Sequence, residues 1–445
     1  MDTVKDRTDS DQSSRPRSSA TPRFGSSKTK IRKHIPAGKG PYTVGCVDFM
    51  NDHSDDGVLF RLFYPTRKSD IYKRDKQWPL WVPRKQYVHG YVDFLGLSTK
   101  TFGKFFKWYC DDVYVPALWQ APILKEHKRK HPVVILSHGI GGNRTTYTAL
   151  CCELASQGFV VAAIEHSDGS ASMALRLQQF SQNALTSSPD QLNNNDVIDG
   201  DPENKPQINS RHHLNAFNEH WKKFEKIENI FDFDFRNKQV HYRADECSRM
   251  LNILTAMNNG EQMHNYFGVI FDTSQLRNSL DLSQVSVIGH SFGGSTCLCT
   301  LSKDPRFKVG VVIDGWMLPL DEQVYSKVNQ PVLMVNYETF QWVDNIKSMN
   351  RFLTNEVDRR MITVKGTCHQ SISDFQFIAN KLLGRVMTVR YTLNPKLAFG
   401  TSAQATVGFL RKHFDLPGEK FSEILDGNHY LVINGTNVNM PVQVT

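Results

Sequence analysis

The segment Val285 to Gly293 reads V-S-V-I-G-H-S-F-G, an apolar run that ends in Gly289-His290-Ser291-Phe292-Gly293. This is G-x-S-x-G with a strand-like run in front and small residues, Gly293, Gly294 and Ser295, opening a helix behind. Such a sharp strand-to-helix turn holds its serine at a strained backbone position and points the hydroxyl out of a sheet. Side chains at the flanking glycines would strike the neighbouring strand or helix. The bare pattern is weak, because a Gly/Ser turn produces it by chance. Flanked by a buried strand and a helix, it marks Ser291 as a candidate nucleophile.

The remaining groups of such a site follow in the expected chain order. Lys308 to Trp316 (KVGVVIDGW) reads as a buried parallel-type strand with Asp314 at its C-terminal end. Pro331 to Thr339 (PVLMVNYET) is another, with Glu338 near its end, and Met361 to His369 (MITVKGTCH) runs into a loop carrying His369. Serine, acid, histidine is the order of α/β-hydrolases, and open α/β sheets place their sites at the carboxyl ends of strands. His369 is therefore the candidate base. Position alone leaves the acid open between Asp314 and Glu338.

Upstream, His131 to Gly142 (HPVVILSHGIGG) is a strand that breaks into His138-Gly139-Ile140-Gly141-Gly142. This resembles an HG-rich oxyanion loop, which offers a backbone N–H to a tetrahedral intermediate. Ile140 is the expected first donor and Phe292, the residue after the serine, the second. A further strand, Phe159 to Ile164, follows after one helical unit. The pattern predicts an α/β-hydrolase fold, a mostly parallel central sheet flanked by helices.

With these motifs in place, a family resemblance becomes specific. The segments GPYTVGCVDFM, LFRLFYPT, SHGIGGNRTTYTALCCELASQGFVVAAIEHSDGSA, SVIGHSFGGST, DGWMLPL and GTCHQSISDF resemble the platelet-activating-factor acetylhydrolase family, calcium-independent group VII phospholipases A2 with plasma and intracellular forms. The resemblance runs from about Ile35 to the C-terminal region. It places the nucleophile on Ser291, the acid on Asp314 rather than Glu338, the base on His369, and the oxyanion donors on Ile140 and Phe292. It implies a serine esterase that removes short or oxidised sn-2 acyl groups from phospholipids through an acyl-enzyme, with no cofactor and no metal. A general carboxylesterase or lipase would use the same triad with another pocket. A catalytically dead scaffold is disfavoured, because all three triad candidates are present.

The net charge of +8 is misleading until it is located. Residues 1–40 hold ten Lys/Arg against four Asp, so most of the excess belongs to one Ser/Arg/Lys-rich stretch. Such a stretch, taken here as residues 1–34, lacks the apolar content for a core and is expected to be a disordered tail. It also lacks interleaved aromatics, which argues against nucleic-acid binding. The expected catalytic domain covers 35–416, with a polar surface loop near 185–210 and a C-terminal extension over 417–445. No hydrophobic leader follows Met1, and eight scattered cysteines read as buried thiols, so a cytoplasmic location is expected. No spacing suggests a zinc or calcium site.

Between Tyr91 and Tyr109 large apolar groups alternate with Lys100, Lys104 and Lys107. This is the composition of a helix lying in a headgroup plane, although a helix covering the sheet would show a similar face. Phe94, Leu95, Phe102, Phe105, Phe106 and Trp108 are the candidates for peripheral membrane contact, beside a phospholipid substrate.

Overall fold

The computed structural model describes residues 31–110, 112–126, 129–179, 217–354, 356–379 and 392–439. The sequence-predicted polar loop near 185–210 and nearly all of the basic tail lie outside these residues.

Among the described residues ten strands form one sheet in the order β12-β11-β10-β9-β8-β4-β5-β2-β1-β3. At its centre β4 (His131–Ser137), β5 (Val160–Glu165), β8 (Leu280–His290), β9 (Val309–Ile313), β10 (Val332–Tyr337) and β11 (Arg359–Val364) run parallel. Their near-continuous Val/Ile/Leu runs are what burial on both faces requires. Alternate residues serve opposite cores. Val134, Leu136, Val161, Ala163, Ile288, Val311 and Ile313 enter one cluster, while Val133, Ile135, Val160, Ala162, Val285, Val287 and Val312 enter the other. This is the period of two that a pleated strand imposes.

The N-terminal strands β1 (Thr43–Met50) and β2 (Leu59–Thr66) form an antiparallel pair, joined to β5 through β2 and continued at the edge by β3 (Leu118–Trp119). A separate hairpin, β6 (Met173–Gln179) with β7 (Phe217–Lys223), stands off the sheet. One face of the sheet is covered by α3 (Thr148–Ser156) and the helix Pro395–His413, the other by helices Phe233–Asn259, Phe292–Lys303 and Val343–Asn350.

Two expectations change. Residues 417–439 contribute to the catalytic domain: Ile424 and Leu425 are core residues, and β12 (Val432–Asn434) extends the sheet antiparallel to β11. Phe106 does not belong to an outward face. In α2 (Thr99–Cys110) the residues Gly103, Phe106 and Cys110 are buried, following i, i+3, i+7, while Phe102, Phe105 and Trp108 are exposed. Helical periodicity divides the stretch between a packing face and a surface face.

The chain leaves β4 towards β5 and later returns to β4's other side as β8. This reversal puts the carboxyl ends of β4 and β8 side by side, the crevice in which open α/β sheets bind ligands.

Candidate active site

Ser291 follows β8 directly and has φ 58°, ψ −120°, outside the region a non-glycine residue ordinarily adopts. The strain is held from three sides. Ser291 N–H donates to the Ile313 carbonyl at 3.0 Å, and the Ser291 carbonyl accepts from Gly294 and Trp316 N–H at 2.9 and 3.1 Å. A Cβ on Gly289 would fall 1.8 Å from the Gly293 carbonyl oxygen, and one on Gly293 would fall 2.2 Å from that of Ser137. Both glycines are required by this close approach of backbones.

Asp314 follows β9 in a left-handed conformation (φ 46°) and is buried. His369 follows β11, and its Nδ1–H donates to Asp314 Oδ2 at 2.6 Å. The second carboxylate oxygen accepts from Tyr337 N–H at 2.8 Å. Burial by itself raises the Asp314 carboxyl, whereas two N–H donors on its oxygens favour the carboxylate. Burial also pushes the His369 imidazole well below its ordinary value, so the ring is held neutral with its lone pair on Nε2. Phe340 stacks on that ring at 3.6 Å between centroids and shields it from water. Glu338 does not approach His369: its carboxylate accepts from Gly366 N–H, at the exposed turn after β11.

The Gly139–Gly142 loop lies against the elbow, and a Cβ on Gly139 would stand 3.1 Å from Ser291 Cβ. Gly141 N–H is spent on the Ser170 carbonyl and Gly142 N–H on that of Gly139. Ile140 and Phe292 N–H have no protein partner among the described residues, as donors reserved for a ligand would not. Ser291, His369 and Ile140 line one cavity of about 580 Å³, together with Phe94, Leu95, Phe231, Trp316, Phe340 and Trp342. Among the described residues its lining contains no lysine, arginine or carboxylate.

His290, Asp314 and His369 bring donor atoms within 4.8 Å of one another. Those atoms are turned to neighbours instead of a common centre: Asp314 binds His369, and both nitrogens of His290 are engaged. Cys368 is no rival nucleophile, since its thiol is buried in a turn closed by Ser371. A second Ser–His–carboxylate set exists, Ser137 Oγ to His166 Nε2 at 2.8 Å and His166 Nδ1 to Glu246 Oε2 at 2.5 Å. All three residues are buried and outside the lining of that cavity, so the set fastens the end of β4 to the helix Phe233–Asn259.

Several supporting residues had no signature in the chain. Arg243, buried, donates to the His138 carbonyl beneath the Gly139–Gly142 loop. Asp374 accepts from Thr148 and Ala149 N–H at 2.8 and 2.9 Å, capping α3 from 225 residues away, and from Trp81 Nε1 at 2.9 Å. Capping of this kind contributes ~1 kcal/mol and pins the loop after His369 to the helix that follows the Gly139–Gly142 loop. Ile230 and Phe231, both exposed, rim the cavity. The only sign of them was an apolar pair in a polar stretch.

The central parallel sheet with its strand-to-helix serine elbow defines an α/β-hydrolase. A solved ferulic acid esterase from Streptomyces cinnamoneus shares this fold, with a TM-score of 0.59 at 18% identity over 90% of this chain and 99% of that one. The family model for platelet-activating factor acetylhydrolase, isoform II, matches residues 27–427. Proteins named platelet-activating factor acetylhydrolase are similar throughout: that of Canis lupus familiaris is 34% identical over 92% of this chain and 84% of its own length. That of Gallus gallus is 35% identical over 95% and 94%. The chain belongs to the platelet-activating factor acetylhydrolase isoform II family.

Proposed function

We propose that the chain is a serine esterase that hydrolyses short or oxidised sn-2 acyl groups of platelet-activating factor and related phospholipids. The observation that carries this reading is the 2.6 Å His369–Asp314 hydrogen bond beside a strained Ser291, at a cavity rich in aromatic and aliphatic side chains. The family and the names of its members supply the substrate class.

In this mechanism His369 Nε2 takes the proton from Ser291 Oγ as the oxygen attacks the ester carbonyl. Asp314 holds the imidazole in the tautomer with its lone pair on Nε2 and stabilises the imidazolium that forms. The N–H groups of Ile140 and Phe292 receive the negative charge that develops on the carbonyl oxygen; one donor of this kind is worth ~3 kcal/mol. His369 returns the proton to the departing lysophospholipid oxygen, and a water activated by the same ring then releases the acid.

The aqueous route to this site favours truncated lipids. Each methylene removed from an acyl chain lowers membrane anchoring by ~0.8 kcal/mol. Turnover of acetyl and butanoyl sn-2 phospholipids should therefore exceed that of long unmodified chains by orders of magnitude, and calcium chelation should leave it unchanged. Hydrolysis of a chain-length series by the purified protein, with and without chelator, checks both statements. Efficient cleavage of long-chain triglyceride with little action on acetyl phospholipid would favour the lipase reading.

Peripheral membrane contact belongs to the same proposal. What supports it is the outward face of α2, where Phe102, Phe105 and Trp108 are 40, 41 and 73% exposed beside Lys100, Lys104 and Lys107. α2 follows α1 (Lys85–Phe94), whose last residue, Phe94, lines the cavity, as does Leu95. Among the described residues no helix is long and apolar enough to cross a membrane. Trp108→Ala should weaken binding to phospholipid vesicles by about tenfold, the cost of losing one large apolar side chain at the interface. Hydrolysis of a soluble ester should not change. Sedimentation with anionic vesicles and an assay on a water-soluble ester separate the two effects.

A further inference from the structure

We propose that His290, the residue before the nucleophile, is a positioning residue that ties the base-bearing loop to the oxyanion loop through a one-way chain of hydrogen bonds. The proposal rests on the reading of Ser291 and His369 as nucleophile and base.

The three parts to be aligned sit on the ends of different strands. The oxyanion loop follows β4, the elbow follows β8, and His369 follows β11, which is separated from β8 by β9 and β10. His290 is the last residue of β8 and is buried. Its Nε2 lies 2.9 Å from the carbonyl oxygen of His369. Its Nδ1 lies 2.8 Å from the Tyr147 hydroxyl, which in turn lies 3.2 Å from the N–H of Gly139, the residue before Ile140.

The direction of every bond in this chain follows from elementary donor rules. A carbonyl oxygen only accepts, so His290 Nε2 carries a hydrogen. Burial and the neighbouring His369 hold the His290 ring neutral, so Nδ1 is an acceptor. Tyr147 must then donate its hydroxyl hydrogen to Nδ1, and the hydroxyl oxygen accepts from Gly139 N–H. No donor or acceptor is left over and no alternative arrangement satisfies the set. The oxyanion loop, the elbow and the base are thereby registered to one another by side chains from residues 143 positions apart.

Neutrality at His290 has a second use. Its ring lies 4.5 Å from that of His369, centroid to centroid, and His369 Nδ1 is bonded to Asp314. A charged His290 would repel the imidazolium that His369 forms in the transition state. Tyr147 O–H fills the Nδ1 lone pair, where a proton would otherwise be taken up. Phe292, at the other side of Ser291, is the expected oxyanion donor, so the two residues flanking the nucleophile divide the work: one donates to the developing charge and the other holds the base.

Glutamine and asparagine at position 290 separate the two ends of the chain. A Gln amide reaches the place of Nε2 and keeps the donor to His369, whereas an Asn amide reaches only the place of Nδ1. His290→Asn should lower kcat on a soluble ester by ten- to a hundredfold, with KM within about threefold of wild type, while His290→Gln stays within about fivefold. Tyr147→Phe should lower kcat about fivefold in the wild-type background and less than about twofold when added to His290→Asn, because the chain is already cut. Thermal unfolding checks that each variant is folded. Equal kcat in the two His290 variants, or an equal Tyr147→Phe loss in both backgrounds, overturns the proposal. A Ser291→Ala variant that kept its activity would instead remove the reading on which the proposal stands.

Discussion

Ser291→Ala should abolish ester hydrolysis, with a loss in kcat on the order of 10⁵–10⁶-fold, and leave the protein folded. The hydroxyl is asked to form and break a bond; the backbone that holds it is fixed by other groups. Its N–H and carbonyl bonds to Ile313, Gly294 and Trp316 involve main-chain atoms that alanine retains. Alanine carries the same Cβ, so the positive φ at this position is no worse than in the wild type. An organophosphate should label the wild type at Ser291 and fail to label the variant. The residual rate should stay above that of water, because the Ile140 and Phe292 N–H groups and the cavity are still present. Mass spectrometry of the labelled peptide and melting temperatures of both proteins check the statement. A label found on Cys368, or full activity in the variant, would overturn the nucleophile.

What sequence could disclose here depended on how local the physics was. The elbow is local: V-S-V-I must be a strand because both its faces are buried, and the Gly289–Gly293 spacing exists because two backbones approach within a distance that excludes a Cβ. The parallel core strands were legible for the same reason. Long-range pairings were not. Nothing in the run around Tyr147 announces that its hydroxyl meets His290, nor does the loop after His369 show that Asp374 will cap α3. The stretch Thr99–Cys110 was ambiguous for a different cause, since an amphipathic helix and an interfacial helix share one period. In the structure Phe106 is turned inward and Phe105 and Trp108 outward. The residues beyond 416 looked like an extension because an edge strand of three residues, Val432–Asn434, is too short to show alternation.

Asp314→Asn should lower kcat by about 10⁴-fold while Glu338→Gln costs less than about tenfold. Both carboxylates end strands of the same parallel sheet, so the difference must come from where the chain turns afterwards. At Asp314 the backbone enters the left-handed region as soon as β9 ends, and the carboxylate sits buried with Oδ2 on His369 Nδ1 and Oδ1 on Tyr337 N–H. An amide there has an NH₂ group to place. Turned towards His369 it faces an N–H and forces the ring to present its lone pair on Nδ1, which leaves Nε2 protonated and unable to take the Ser291 proton. Turned towards Tyr337 it meets another N–H and leaves that donor unpaired in the core. Either way the imidazolium also loses its counter-charge in a site where burial already disfavours a charged ring. That depression sets a pH signature as well: the wild type should keep the neutral base below the usual imidazole value of about 6.5, so the acid limb of kcat/KM should lie below that pH. At Glu338 the carboxylate accepts one N–H, from Gly366, and the oxygen of a glutamine amide can take the same bond. Kinetics of the two variants across pH, with thermal unfolding as a control for folding, check the contrast. A reversal of the two losses would move the acid to the end of β10.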